Sequence, residues 1–341
     1  MKIKIITNVI LLVLAMATIF CDKKIDSEAL MMEMFNKKNV KIVVTDSGLG
    51  GMSVAADLAA RLPKSGVFQN AEIIFFNSLF HNKSGYNSLD SEDEKIRIFD
   101  IALNSMKNKY HPDLLLIACN TLSVLYDKTP FSKIADLPVI GIVATGVDLI
   151  HEQFNNTPQA TAIIFATKTT VASQYHKKML IDRGIDESQI VLQACHKLAG
   201  SIERGADSPE TAELIRKYVN QAMSTIDADH SIFASLNCTH YGYSIEQFRV
   251  SFAEAGYPEV TIIDPNPEMA DFLFDEKYLH RYQETKVSVK VVSKVSISDE
   301  KKDSLAPLIQ KTSFAAAEAL RNYRYDADLF DAKFDTTQLK D

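Results

Sequence analysis

The chain is 341 residues long, with 46% apolar and 24% charged residues. This content buries a core, which excludes intrinsic disorder and a disulfide-stapled miniprotein, and the length suits two domains. Lys and Arg total 37 against 44 Asp and Glu, a net charge of −7, which leaves no electrostatic footprint for a nucleic-acid or anionic-membrane binder.

The amino terminus has the layout of an export signal. Lys2 and Lys4 precede an uninterrupted apolar run from Val9 to Ala17, and Cys21 follows. The run is short for a span of ~20 residues. The arrangement resembles a bacterial lipoprotein signal with Cys21 as the lipidated residue, although Phe20 stands where a small residue is usual. Membrane attachment through this lipoprotein leader at the cell envelope, an uncleaved anchor, and a cytoplasmic protein with an apolar leader all remain open. Residues 1–21 are read as signal peptide and 22–39 as a tether or short helix outside the fold.

From Val40 short Val/Ile-rich runs alternate with amphipathic segments, the pattern of parallel sheets covered by helices. Strands are predicted at 41–45, 72–76, 114–118, 139–143, 161–165, 189–193, 231–235 and 260–263. Helices are predicted at 51–61, 93–109, 171–183, 209–224 and 245–255. Eight strands are many for one open sheet, so the expected class is α/β with two similar domains, each a mostly parallel sheet flanked by helices, and an active site in the cleft between them. The division expected is 40–138 plus 240–300 for one domain and 139–239 for the other. Beyond Glu276 the pattern weakens to one strand near Val287 and helical turns within 299–321; residues 301–341 are read as a C-terminal extension.

Polar residues gather where predicted strands end, the place where open α/β sheets bind ligands. Asp46-Ser47-Gly48-Leu49-Gly50-Gly51 is a strand-to-helix turn whose glycines permit close approach and whose Asp presents a carboxylate. It is neither a P-loop nor a dinucleotide fingerprint. Cys119 of Ala118-Cys119-Asn120-Thr121 leaves a buried strand at a helix start, where the dipole favours thiolate. A lone Cys there also reads as a small buried hydrophobe. Asn237-Cys238-Thr239-His240-Tyr241 repeats the arrangement in the second half. Two thiols facing one Cα suit stereoinversion, one removing a proton and the other delivering one to the opposite face. His240 could assist Cys238, and Asp46 could assist Cys119. Cys195 is read as a buried small residue. The cysteines form no C-x-x-C pair of the kind a structural zinc site needs and the histidines show no H-E-x-x-H spacing, while a Schiff-base Lys stays open.

These three motifs, in this order and spacing, resemble the signatures of the cofactor-independent glutamate racemases of the aspartate/glutamate racemase superfamily, over about Val40 to Phe274. Gly85-Tyr86-Asn87 falls where the family has Pro-Tyr-Gly, so only Tyr86 matches. Ala166-Thr167-Lys168-Thr169-Thr170-Val171 with Tyr175 resembles the strand-to-helix segment of the second domain. Cys195 followed by Glu203 resembles the stretch that supplies a carboxylate near the second Cys, with His196 in place of the usual proline.

The resemblance implies Cys119 and Cys238 as catalytic bases, assisted by Asp46 and His240, with Glu203 a weaker helper. Ser47, Tyr86, Asn87, Asn120, Thr121, Thr239 and His240 would bind substrate. It further implies no cofactor, and His240 favours glutamate as the small-molecule partner, since aspartate racemases tend to carry Glu after Cys-Thr. Such enzymes supply D-glutamate for peptidoglycan in the cytoplasm, which strains against an export signal, because exported thiols risk oxidation. The alternatives are a racemase for another amino acid such as aspartate, and a non-catalytic envelope lipoprotein that binds acidic amino acids. Oligomeric state, a homodimer included, is not legible.

Overall fold

A computed structural model describes residues 27–82, 84–226 and 231–333; the leader and Cys21 lie outside the described residues. In chain order the first half comprises α1 Ser27–Asn36, β1 Asn39–Asp46, α2 Met52–Ser65, β2 Asn70–Asn77, α3 Glu92–Tyr110, β3 Leu114–Ile117, α4 Asn120–Tyr126, α5 Pro130–Ile134, β4 Val139–Gly141 and α6 Ile142–Asn156. The second comprises β5 Thr161–Ala166, α7 Lys168–Ser173, α8 Tyr175–Asp182, β6 Ile190–Ala194, α9 Leu198–Arg204, α10 Pro209–Met223, β7 Ile232–Asn237, α11 Ile245–Glu254 and β8 Thr261–Ile263. The chain closes with β9 Lys286–Ser293, α12 Asp299–Gln310, α13 Phe314–Arg321 and β10 Arg324–Tyr325.

The strands form two sheets, β10-β9-β2-β1-β3-β4 and β6-β5-β7-β8, with parallel pairing throughout both. β1 is central in the first sheet, flanked by β2 and β3; β5 is central in the second, flanked by β6 and β7. Each sheet therefore has a topological switch point, where connections leave in opposite directions and open a crevice beyond the strand ends. Asp46 and Cys119 stand at the first crevice, Thr167 and Cys238 at the second.

Alternation along β1 explains how the sheet is covered. Ile42 and Val44 face a core shared with α2, α12 and α13, while Val43 faces a second core under α3 and α4. That second core continues through Val143, Val147 and Ile150 of α6 to Ala162 and Ile164 of β5, so the two domains share packed apolar side chains. The far face of the second sheet is closed by α9, α10 and α11 around Ile163, Phe165 and Phe248.

The α/β class with two helix-flanked parallel sheets is the observed architecture, and its departures from the sequence-based elements have physical causes. The strand expected over 139–143 stops at Gly141, because Ile142 and Val143 are buried on the core face of α6, where tertiary packing overrides β-branched propensity. The helix expected over 171–183 breaks at Gln174, whose φ of 56° lies in the left-handed region. The segment 22–39, expected as a tether or short helix outside the fold, does carry the short helix α1 but belongs to the fold: it buries Met34 and Phe35 in the first core, Phe35 stacking on Tyr278 at 3.6 Å.

The expected domain boundaries also shift. β4 belongs to the first sheet and β8 to the second, each a short edge strand whose membership is set by pairing with β3 and β7. Residues expected as an extension from 301 complete the first domain. Leu305, Ala306 and Ile309 of α12 and Ala316, Ala317 and Leu320 of α13 enter its core, and β10 extends its sheet. Among the described residues no helix is long and apolar enough to cross a membrane.

Candidate active site

The turn after β1 builds the first half of the site. Asp46 is buried; its Oδ1 accepts the Ser47 N–H at 2.6 Å and its Oδ2 accepts the Gly51 N–H at 2.5 Å. Oδ2 also accepts the Thr239 hydroxyl at 2.6 Å, a bond 193 residues long in sequence that joins the two domains. The glycines of this turn are required by that approach. A Cβ on Gly50 would lie 2.3 Å from Thr239 Oγ1, and one on Gly48 would lie 2.7 Å from Glu203 Oε1.

Cys119 stands at the residue before α4, with no capping bond from its side chain, and its Sγ lies 3.1 Å from Ser47 Oγ. The helix start was expected to favour thiolate there, but the balance goes the other way. Burial pushes the Cys119 thiol well above its usual range, and the Asp46 carboxylate adds to the rise; hydrogen bonds from Ser47 and the Leu122 backbone oppose it.

At the second crevice Cys238 Sγ lies 3.7 Å from His240 Nδ1, and His240 Nε2 lies 2.8 Å from Glu203 Oε1. The same Glu203 oxygen accepts the Leu49 N–H at 2.9 Å, and Oε2 meets Lys301 Nζ of α12 at 2.6 Å. Burial disfavours the His240 imidazolium, but its hydrogen bonds to Cys238 and Glu203 and the charges of both outweigh it and hold His240 well above the usual histidine range. Burial likewise opposes the Glu203 carboxylate, and His240 with Lys301 more than offsets it, keeping Glu203 well below the usual carboxylate range. Glu203, read from sequence as the weaker helper, is thus the centre of a four-membered chain from Lys301 to Cys238.

Between the two halves, Thr121 Oγ1 lies 2.8 Å from Thr167 Oγ1. Asn120 Oδ1 lies 3.2 Å from His176 Nε2 of α8; burial lowers His176 to about 4, so the neutral ring donates this bond. Among the described residues, Asn120 Nδ2 and the Tyr86 hydroxyl are buried without a hydrogen-bond partner. Buried polar atoms of this kind carry a desolvation cost until a ligand meets them. Asn87 Oδ1 accepts the Thr169 N–H at 3.1 Å, tying the short helical turn that carries Tyr86 to α7.

Cys195 is buried in the third core, its Sγ 3.7 Å from the Gln193 carbonyl. Among the described residues no group of three or more His, Cys, Asp or Glu side chains is placed to hold a metal ion. Sequence reasoning missed Lys301 and His176. Lys301 sits among Asp299, Glu300, Lys302 and Asp303, which read as a solvated helix face, and His176 follows Tyr175 in an amphipathic segment; neither has a local signal.

Comparison with known proteins bears on this arrangement. The model of the Asp/Glu/hydantoin racemase family matches residues 50–272. A glutamate racemase of Fusobacterium nucleatum is 28% identical over 69% of this chain and 80% of its own length. One of Paracoccus denitrificans is 28% identical over 71% of this chain and 85% of its own. Among solved structures, a glutamate racemase of Francisella tularensis in complex with D-glutamate shares the fold at a TM-score of 0.61 and 21% identity, covering 81% of this chain and 95% of that one. The RacE1 isoform of Bacillus anthracis does so at 0.63 and 20% identity, covering 82% and 96%.

Proposed function

Because the chain belongs to the Asp/Glu/hydantoin racemase family, we propose that it interconverts L- and D-glutamate by proton transfer at Cα between two cysteine thiols, without a cofactor. One observation carries the reading. Cys119 and Cys238 leave equivalent strands of two similar sheets, and each meets its own proton-handling side chain, Ser47 with Asp46 on one side and His240 on the other.

In this mechanism the Cys238 thiolate removes the Cα proton of L-glutamate, with the His240 imidazolium balancing its charge. The Cys119 thiol delivers its proton to the opposite face, leaving Cys119 as thiolate and Cys238 as thiol. The D-isomer runs the same steps in reverse, and exchange with solvent resets the pair. The unpartnered amide nitrogen of Asn120 and hydroxyl of Tyr86, with Thr121 and Thr239, are the groups suited to the substrate's carboxylates and ammonium. Glutamate as substrate draws on the names of the relatives and on His240 after Cys238-Thr239. The product would serve peptidoglycan precursors.

The test is chiral analysis of the purified protein incubated in heavy water with L-glutamate and, separately, L-aspartate. D-glutamate should form with deuterium at Cα while the remaining L-glutamate stays largely unlabelled early on. Faster turnover of aspartate would break the glutamate assignment, and inversion of neither would break the racemase reading. The same proposal anchors the protein at the envelope through Cys21: C21A should abolish palmitate labelling, and soluble wild-type protein of unmodified mass would overturn it.

A further inference from the structure

We propose that Lys301 is a positioning residue for the Cys238 half of the site: its ammonium holds Glu203 in the orientation that fixes His240 against the thiol. The inference rests on the racemase reading for its consequence in turnover, and on geometry for its substance.

Glu203 has two oxygens with different tasks. Oε1 accepts from the Leu49 N–H and faces His240 Nε2, while Oε2 is held by Lys301 at 2.6 Å. With Oε2 engaged, the carboxylate plane cannot turn without breaking the ion pair. The Nε2–H of His240 then points at Oε1, so Nδ1 is the nitrogen presented to Cys238 Sγ. The Lys301 side chain is 30% exposed whereas that of Glu203 is 7% exposed, so a solvated cation at the rim neutralises a buried anion. Lys301 comes from α12, beyond the residues 50–272 that match the racemase family, and that helix is anchored by Leu305 and Ile309.

Among the described residues, the charged and titratable groups around Glu203 and His240 include Cys238 beyond β7, Tyr243 in the following turn, Cys195 and Tyr241 near Cys238, Asp46, which holds Thr239 beside His240, Asp264 near Tyr243, and Lys301 from α12. Removing the Lys301 ammonium leaves the buried Glu203 carboxylate without its ion pair and free to turn, so the imidazolium that favours a thiolate opposite it is no longer held against Cys238. Less thiolate is then available at neutral pH, and raising the pH restores it.

The experiment uses the full chain with K301M, K301Q as a second neutral variant, and K301R. Iodoacetamide alkylation is followed against pH with peptide mapping, so that Cys238 is read apart from the other cysteines, and glutamate racemisation is measured over the same range. In K301M and K301Q the pH midpoint of Cys238 alkylation should rise. Their kcat/KM should fall about tenfold at pH 7 and recover toward the wild type at alkaline pH. K301R should retain both wild-type profiles. An unchanged Cys238 midpoint in the neutral variants overturns the proposal, as does a loss of turnover equal at every pH that K301R fails to restore. A wild type that racemises nothing while the neutral variants still shift Cys238 would break the racemase reading and support the positioning chain.

Discussion

The two cysteines occupy matching places in the fold and contrasting electrostatic surroundings. Cys119 is buried beside a hydroxyl and the Asp46 carboxylate, which raises the thiol further. Cys238 faces an imidazole kept protonated by Glu203, itself neutralised by Lys301. Equivalent positions in two similar sheets therefore stand in unlike charge surroundings. In the mechanism proposed, the proton rests on Cys119 and an imidazolium stands opposite Cys238, so the pair is poised in one direction before substrate arrives.

The largest effect that can break this comparison is loss of either sulfur. C119S and C238S each put an alcohol, far less acidic than a thiol near ~8.5, where every turnover needs a mobile proton. Racemisation should fall by ~10³-fold in both directions for each, measured by chiral chromatography. Near wild-type turnover in either variant would end the two-thiol mechanism.

Acid stability should next separate the halves, because the Cys119 side carries His176 behind Asn120. Buried and lowered to about 4 from an ordinary 6.5, His176 binds a proton in the unfolded chain before it does so in the folded one. Its contribution to stability is therefore intact above about pH 6.5 and declines as pH falls toward about 4, by about 3 kcal/mol in all. Denaturant titrations of H176Q between these values should show a shallower slope than wild type; an equal slope would remove His176 as the cause.

Charge removal should then move the two thiols in opposite senses. D46N deletes the anion that raises Cys119 and should lower its alkylation midpoint, whereas H240N deletes the cation opposite Cys238 and should raise that one. Peptide-mapped alkylation reads both, and shifts of the same sign would mean that the two environments are alike. The smallest effect belongs to the contact between the halves. N87A removes the bond to the Thr169 N–H, worth about 1 kcal/mol, so KM should rise about fivefold with kcat little changed.

Part of this site is legible from local pattern. Strand ends followed by short polar residues mark Asp46, Cys119 and Cys238, and His240 lies close enough to Cys238 in the chain to be paired with it. Glu203 could be named only through its resemblance to a known stretch. Its place at the centre of a charge chain depends on Leu49 and Lys301, 154 residues before it and on a helix in another domain. The charged segment around Lys301 and the amphipathic one around His176 look the same in sequence as any solvated helix face, because what distinguishes them is which side chain stands opposite.

By itself the sequence determined the parallel α/β character, since buried Val/Ile runs between amphipathic segments have few other solutions, and it determined which residue types stand at the strand ends. Sheet order, sheet membership of the short strands β4 and β8, the integration of α1, α12 and α13 into the first core, and the contrast between the two thiols were decided only by the tertiary structure. Periodicity reports which face of an element is buried, but not against what. Acidity depends still more on three-dimensional neighbours: burial and the nearby Asp46 carboxylate raise the Cys119 thiol, whose neighbour Ser47 lies 72 residues away in the chain, and Glu203 lies 37 residues from the His240 it holds.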